Sequence, residues 1–295
     1  MLWLIFTLFA AFTQAVRNAL QKQLSQSVPT LGVTLARFLA AWPLALLYLL
    51  AQSRLAQRRG EVIGLEQLSF AFYLYCFAAG LAQIIATALM VQLFRLKNYA
   101  IGVGLARSEA MLAAIIGVCF FSSPLSPLGW LGVILGSYGV LLLSGGTLRS
   151  LSPRVICLGL VCGLCFALTS LWVRQASLSL AAPPLLAAAW TLFAVIFIEA
   201  CGLSAYLLWR DRNALRRLLA QPRLLLATSA ASCIASLFWF SAMSLQNVAI
   251  VKTVGQIEIL FMLLISRFVF KEQLKKQDGL GLMLICCAAL LLLWL

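Results

Sequence analysis

Residues 98–114 read NYAIGVGLARSEAMLAA and residues 247–263 read NVAIVKTVGQIEILFML. Superposed, they match Asn98 with Asn247, Ala100 with Ala249, Ile101 with Ile250 and Glu109 with Glu258. A glutamate kept at one place in two apolar stretches of helix length has two consequences. The chain is built from two related halves, and each half carries an ionisable group where lipid or protein, not water, is expected. Charge there is costly and by default marks a function.

Of the 295 residues, 63% are hydrophobic and 10% charged, with a mean hydropathy of +1.03. A soluble domain of this length has no way to hide so much apolar surface. Runs of about 18 or more apolar residues fall near 2–22, 31–51, 69–93, 98–121, 127–146, 154–178, 184–209, 222–246, 249–270 and 277–295. These are about ten spans joined by short loops, an all-α polytopic membrane protein. The first run lacks a basic n-region and a small-residue cleavage site, and Arg17 interrupts it. It reads as a mature helix, not a signal peptide.

Histidine is absent, which removes the commonest proton shuttle and metal ligand. The nine cysteines all fall within spans. Cys162-Gly-Leu-Cys165 lies mid-helix with no second pair, so these thiols read as small packing residues. No metal and no cofactor is expected. The net charge of +14 is distributed over span ends rather than gathered in one patch. That is the membrane-orientation pattern and gives no nucleic-acid partner.

The duplication extends further. Thr13–Ala19 in span 1 corresponds to Ser170–Ala176 in span 6, matching Arg17 with Arg174. Gly129-Trp130-Leu131-Gly132 corresponds to Asp278-Gly279-Leu280-Gly281. Two repeats, 1–147 and 153–295, then hold five spans each. An odd number inverts the second repeat in the membrane, an arrangement that places a site near the midplane between the halves. The loops on one side carry Lys22, Arg95, Lys97, Arg149, Arg154, Arg210, Arg212, Arg216, Arg217, Arg223, Lys271, Lys275 and Lys276; the other side carries Arg54, Arg58 and Arg59. The positive-inside rule puts the richer side in the cytoplasm and both termini outside it.

With this plan, Ala36-Arg37-Phe38 in span 2, and Phe270-Lys271-Glu272, the chain resembles the EamA-type transporters of the drug/metabolite transporter superfamily over essentially its whole length. The resemblance implies alternating access around a cavity formed by spans 1, 3, 4, 6, 8 and 9. Its members include exporters of amino acids and other metabolites, nucleotide-sugar and organophosphate exchangers, and carriers of lipid-linked sugars. They usually have both termini in the cytoplasm, and this sequence departs from that on its charge count. The expected setting is the bacterial inner membrane. The expected partners are a small-molecule substrate, membrane lipid, and a proton or counter-substrate, for a monomer or homodimer.

Eight charged groups fall within spans: Arg17, Arg37, Arg107, Glu109, Arg174, Glu199, Lys252 and Glu258. At about 100° per residue Arg107 and Glu109 face opposite ways. Gln256 stands where Arg107 does, one turn from Lys252. One face thus offers the two glutamates, the other Arg107, Lys252 and Gln256, and only one of them can look into a cavity. In one reading Glu109 and Glu258 are tied to Arg17, Arg174 or Arg37 in buried ion pairs that pin helices together. The basic face is then left to bind a carboxylate or phosphate. In the other, the glutamates face the cavity and bind a cation or load a proton. Both stay open.

Glu199 has no counterpart in span 2, so it serves either the substrate or a nearby arginine. Trp172 and Trp239 are placed to close over an organic substrate. Phe12, Trp190, Phe193, Phe238 and Phe240 read as packing or lipid-facing. Gly102, Gly104, Gly132, Gly136 and Gly139 allow close helix contact.

Basic groups outnumber acidic ones within the spans. The expected function is therefore secondary transport, as export or exchange, of a small polar or amphipathic metabolite such as an amino acid or organic anion. The alternative is a flippase or carrier for a lipid-linked or phosphate-bearing substrate. An enzyme needs a nucleophile with an activating base; no histidine is present and no span holds an aspartate, so none is expected.

Overall fold

The computed structural model describes residues 1–60, 68–95, 106–143, 152–269 and 276–293. Lys97, Asn98, Ala100, Ile101, Gly102, Gly104, Arg149 and Phe270-Lys271-Glu272, all singled out above, lie outside them, as does Lys275. Among the described residues every regular element is a helix. In order these are α1 (Leu2–Leu24), α2 (Thr30–Ala36), α3 (Ala41–Arg58), α4 (Phe70–Arg95), α5 (Glu109–Phe120), α6 (Pro127–Leu143) and α7 (Pro153–Leu178). There follow α8 (Pro184–Arg210), α9 (Arg212–Leu219), α10 (Pro222–Leu245), α11 (Val248–Gly255), α12 (Glu258–Val269) and α13 (Lys276–Leu293).

The apolar runs supply the helices, and local chemistry sets their ends. Pro153, Pro184 and Pro222 stand at the first helical position, where a missing N–H costs nothing. The Asn247 side chain accepts the Ala249 N–H at 2.9 Å and caps α11. The asparagine of the repeated motif is therefore a helix cap in the second half.

Among the described residues, six helical segments are long and apolar enough to cross a membrane: Leu2–Leu24, Thr30–Arg58, Phe70–Arg95, Pro153–Leu178, Pro184–Arg210 and Pro222–Leu245. Among the described residues, the fourth, fifth and tenth expected spans contain the shorter apolar helices Glu109–Phe120, Pro127–Leu142 and Met283–Leu292. The ninth is divided between α11 and α12. Ten full-length spans are thus not established. The ninth is interrupted by a turn just before Glu258, and a turn at Arg107 and Ser108 likewise precedes Glu109.

α1 packs on α10, α4 on α7, α6 on α13 and α3 on α8, while α5 lies against α7 and α11, and α12 against α1. Small residues allow this: Ala10, Ala11 and Ala15 of α1 are fully buried, and Gly139 approaches the Gly281 carbonyl. Outward-facing positions are apolar instead of polar, with Leu47, Phe70, Leu74, Phe77, Ile134, Tyr138 and Met283 exposed. So much exposed apolar surface on apolar helices needs lipid to cover it. The chain is an integral membrane protein. All nine cysteines are free thiols.

Candidate functional site

Both glutamates of the repeated motif open a helix. α5 starts at Glu109 after a turn at Arg107 and Ser108, and α12 starts at Glu258 after a turn at Gln256 and Ile257. At the second break the backbone tightens to bonds spanning three residues: Gln256 N–H to Thr253 O at 3.2 Å, Ile257 to Val254 at 3.2 Å, and Ile259 to Gln256 at 3.0 Å. Such a 3₁₀ stretch inside a helical span is a common place for a hinge. A carboxylate in the first turn of each new helix is favoured by the helix dipole. α7 accommodates the first break through Gly163, where a Cβ would stand 2.5 Å from Ser108 Oγ and 2.9 Å from the Ala106 carbonyl oxygen.

The charges pair between the two matching stretches. Arg107 donates from Nη1 to Glu258 Oε2 at 2.7 Å and from Nη2 to Oε1 at 2.5 Å, a two-pronged geometry. Lys252 Nζ lies 2.7 Å from Glu109 Oε1. Gln14 and Asn18 on α1 add donors to Glu258 at 2.5 and 2.7 Å, and Ser170 on α7 donates to Glu109 at 3.1 Å.

This corrects the expectation that acidic and basic faces exclude one another. α5 and α11 pack together, so the basic groups of each segment meet the acid of the other. The breaks also interrupt the regular 100° progression on which that expectation rested.

The ion pairs expected of Arg17, Arg37, Arg174 and Glu199 are corrected too: none is formed among the described residues. Arg17 is buried and donates through Nε and Nη2 to its neighbour Asn18 at 3.3 and 2.9 Å, leaving Nη1 without a partner. Arg37, in the turn between α2 and α3, donates to Thr87 at 2.8 Å, and its Nε has no partner. Arg174 donates to the carbonyls of Met243, at 2.5 Å, and Gln246. Those oxygens are otherwise orphaned at the C-terminus of α10, where a cation is also favoured. Glu199 is fully buried, with Gln83 Nε2 at 3.4 Å from Oε2 and no partner on Oε1. Arg17 and Arg174 match in sequence, yet one lines a cavity and the other caps a helix.

That cavity is narrow, with about 30 Å³ in which the centre of a water-sized molecule fits. Arg17, Arg37, Arg107, Lys252 and Glu109 charge its wall, and Phe166, Trp239, Phe240 and Met243 give it an apolar side. Trp239 donates from its ring nitrogen to Gln14 at 2.9 Å and lies under Lys252, whose Nζ is 4.3 Å from the ring centroid. Gln256 is buried beside it and lines a smaller adjoining pocket with Arg107, Glu109 and Lys252. Trp172 is corrected: it packs against the core and does not line the cavity, to which α7 offers Phe166, Thr169 and Ser170. Two residues past Ser170 is about 200° around the helix, which turns Trp172 away.

Trp239 fits because residue 255 is glycine: a Cβ there would stand 2.2 Å from the ring. Gly255→Ala is therefore expected to displace the ring and destabilise by about 1–3 kcal/mol, read as a lowered melting temperature. Adding Trp239→Leu should restore part of the loss.

The sequence reading missed Gln14, Asn18, Gln83 and Ser170, because it ranked charge alone. A signal was present: Gln14, Arg17 and Asn18 at i, i+3 and i+4 make one polar stripe on an otherwise apolar helix.

Residues 153–294 match the model of the EamA-like transporter family. One solved structure, titled "Crystal structure of protein", superposes with a TM-score of 0.70 at 13% identity, covering 98% of this chain and 95% of that one. That likeness shows the shared fold. No curated protein matches the sequence.

Proposed function

We propose, for a chain whose residues 153–294 belong to the EamA-like transporter family, that this membrane transporter moves a small polar or amphipathic metabolite bearing an acidic group, such as an amino acid or organic anion. The observation that carries this is the charge balance of the cavity. Arg107 and Lys252 are matched by Glu258 and Glu109, while Arg17 and Arg37 line the same space with no ion-pair partner among the described residues. A buried charge without a counter-charge is expensive. A carboxylate arriving in the cavity supplies the counter-charge, and Phe166, Phe240 and Met243 suit an apolar remainder.

The helix packing supports a ten-span inverted repeat of units 1–147 and 153–295. α1 on α10 repeats α7 on α4, and α12 on α1 repeats α5 on α7, while α3 with α8 and α6 with α13 are each other's counterparts. In alternating access the two crossed ion pairs hold the halves together about the cavity and part as it opens. A gradient or exchange supplies the energy, through a proton or counter-substrate. The arginine-rich end faces the cytoplasm of a bacterial inner membrane, with both termini on the other side, in a monomer or homodimer.

The test is a thermal-shift screen of the purified protein against amino acids, organic anions, phosphates and cations. Carboxylates at about a hundred times their Kd should stabilise by roughly 2.7 kcal/mol. Stabilisation by cations alone overturns the assignment.

A further inference from the structure

We propose that α9 and the helix ends around it form a binding platform for acidic phospholipid headgroups. The helix is fixed in place, not a floating loop. Asp211 accepts the Ala214 N–H at 3.0 Å and caps it, and Ala214 and Leu218 are fully buried against neighbouring helices. Its opposite face presents Arg212, Arg216 and Arg217 to the outside, with Arg210 and Arg223 exposed at either end. The one acid in this stretch, Asp211, is engaged as the cap, and none of these arginines makes an ion pair among the described residues.

More positive charge gathers at the same end of the bundle. Gln221 Nε2 bonds Ser27 Oγ at 2.5 Å, tying the end of α9 to the turn after α1. Arg95, at the end of α4, donates to the Ser25 and Val28 carbonyls of that turn, at 3.1 and 2.5 Å. Apolar side chains border the patch: Trp209 is 81% exposed, and Leu208, Leu219 and Leu226 are exposed as well.

Exposed tryptophan and leucine beside a row of arginines, where apolar helices end, match the boundary between acyl chains and headgroups. A soluble acidic partner accounts for the arginines but leaves those apolar neighbours in water. The guanidinium fork fits phosphate oxygens, and each basic group near an acidic membrane surface strengthens binding roughly fivefold. The inference rests on the membrane setting and not on the identity of the substrate.

The full chain is reconstituted in nanodiscs of phosphatidylcholine, with or without phosphatidylglycerol, and its melting temperature measured. Three proteins are compared: the native chain, Arg212→Gln/Arg216→Gln/Arg217→Gln/Arg223→Gln, and the control Arg54→Gln/Arg58→Gln/Arg59→Gln. Phosphatidylglycerol should stabilise the native chain and the control, and high salt should erase the gain. The α9 variant should lose most of it. If that variant does not fold, Arg216→Gln and Arg217→Gln singly should each lower the gain. An undiminished gain in the α9 variant or in both single variants overturns the proposal. So does an equal gain from inorganic phosphate in phosphatidylcholine discs, which would make the ligand a free anion.

Discussion

Glu258→Ala should destabilise the protein by about 3–5 kcal/mol, the cost of stranding a buried charge, and abolish transport. Glu258 is fully buried and receives four donor contacts, two from Arg107 and one each from Gln14 and Asn18. Without the carboxylate the buried guanidinium keeps its charge and loses the two-pronged partner that matched it. Unfolding in detergent measures the loss. The control is a double-mutant cycle with Glu258→Gln and Arg107→Gln. Removing both charges should cost less than the sum of the single changes. Strict additivity would mean that the two side chains meet in the structure without depending on each other.

Arg17→Gln should weaken substrate binding by roughly 10- to 100-fold, as expected for losing a charged hydrogen bond of about 1.5–3 kcal/mol. The substrate-free protein should hold its melting temperature or gain. This opposite pair of signs separates a binding residue from a structural one. Among the described residues Arg17 makes hydrogen bonds only to Asn18 and no ion pair, and its Nη1 has no partner, so truncating it relieves a buried charge. Affinity is read by calorimetry with the strongest ligand of the screen. A fall in melting temperature with unchanged affinity would assign Arg17 to packing.

Much of the architecture was legible because it follows from composition. A chain whose apolar residues fall in continuous runs of about 18 or more satisfies its backbone in a membrane by forming helices. The in-span charges were legible because each is conspicuous against an apolar background. The pairing among them was not. A helical wheel assumes unbroken 100° steps, and both glutamates lie just past a turn that interrupts the count. Trp172 misled for a related reason. Closeness in sequence to Arg174 implied closeness to a site, yet Arg174 faces the end of α10 and the cavity lies elsewhere.

The sequence by itself determined that the protein is helical and membrane-embedded, and that Glu109 and Glu258 stand at one place in two matching stretches. Hydropathy and repetition are properties of a linear string, so these needed no contacts. Only the tertiary structure decided that Arg107 meets Glu258 and Lys252 meets Glu109, and that Arg17 and Arg37 line the cavity with no ion-pair partner among the described residues. A salt bridge depends on which helices become neighbours, and residues 151 positions apart share no local signal of their meeting. Which charge stays unmatched, and so which group a substrate can neutralise, exists only once all the pairs have formed.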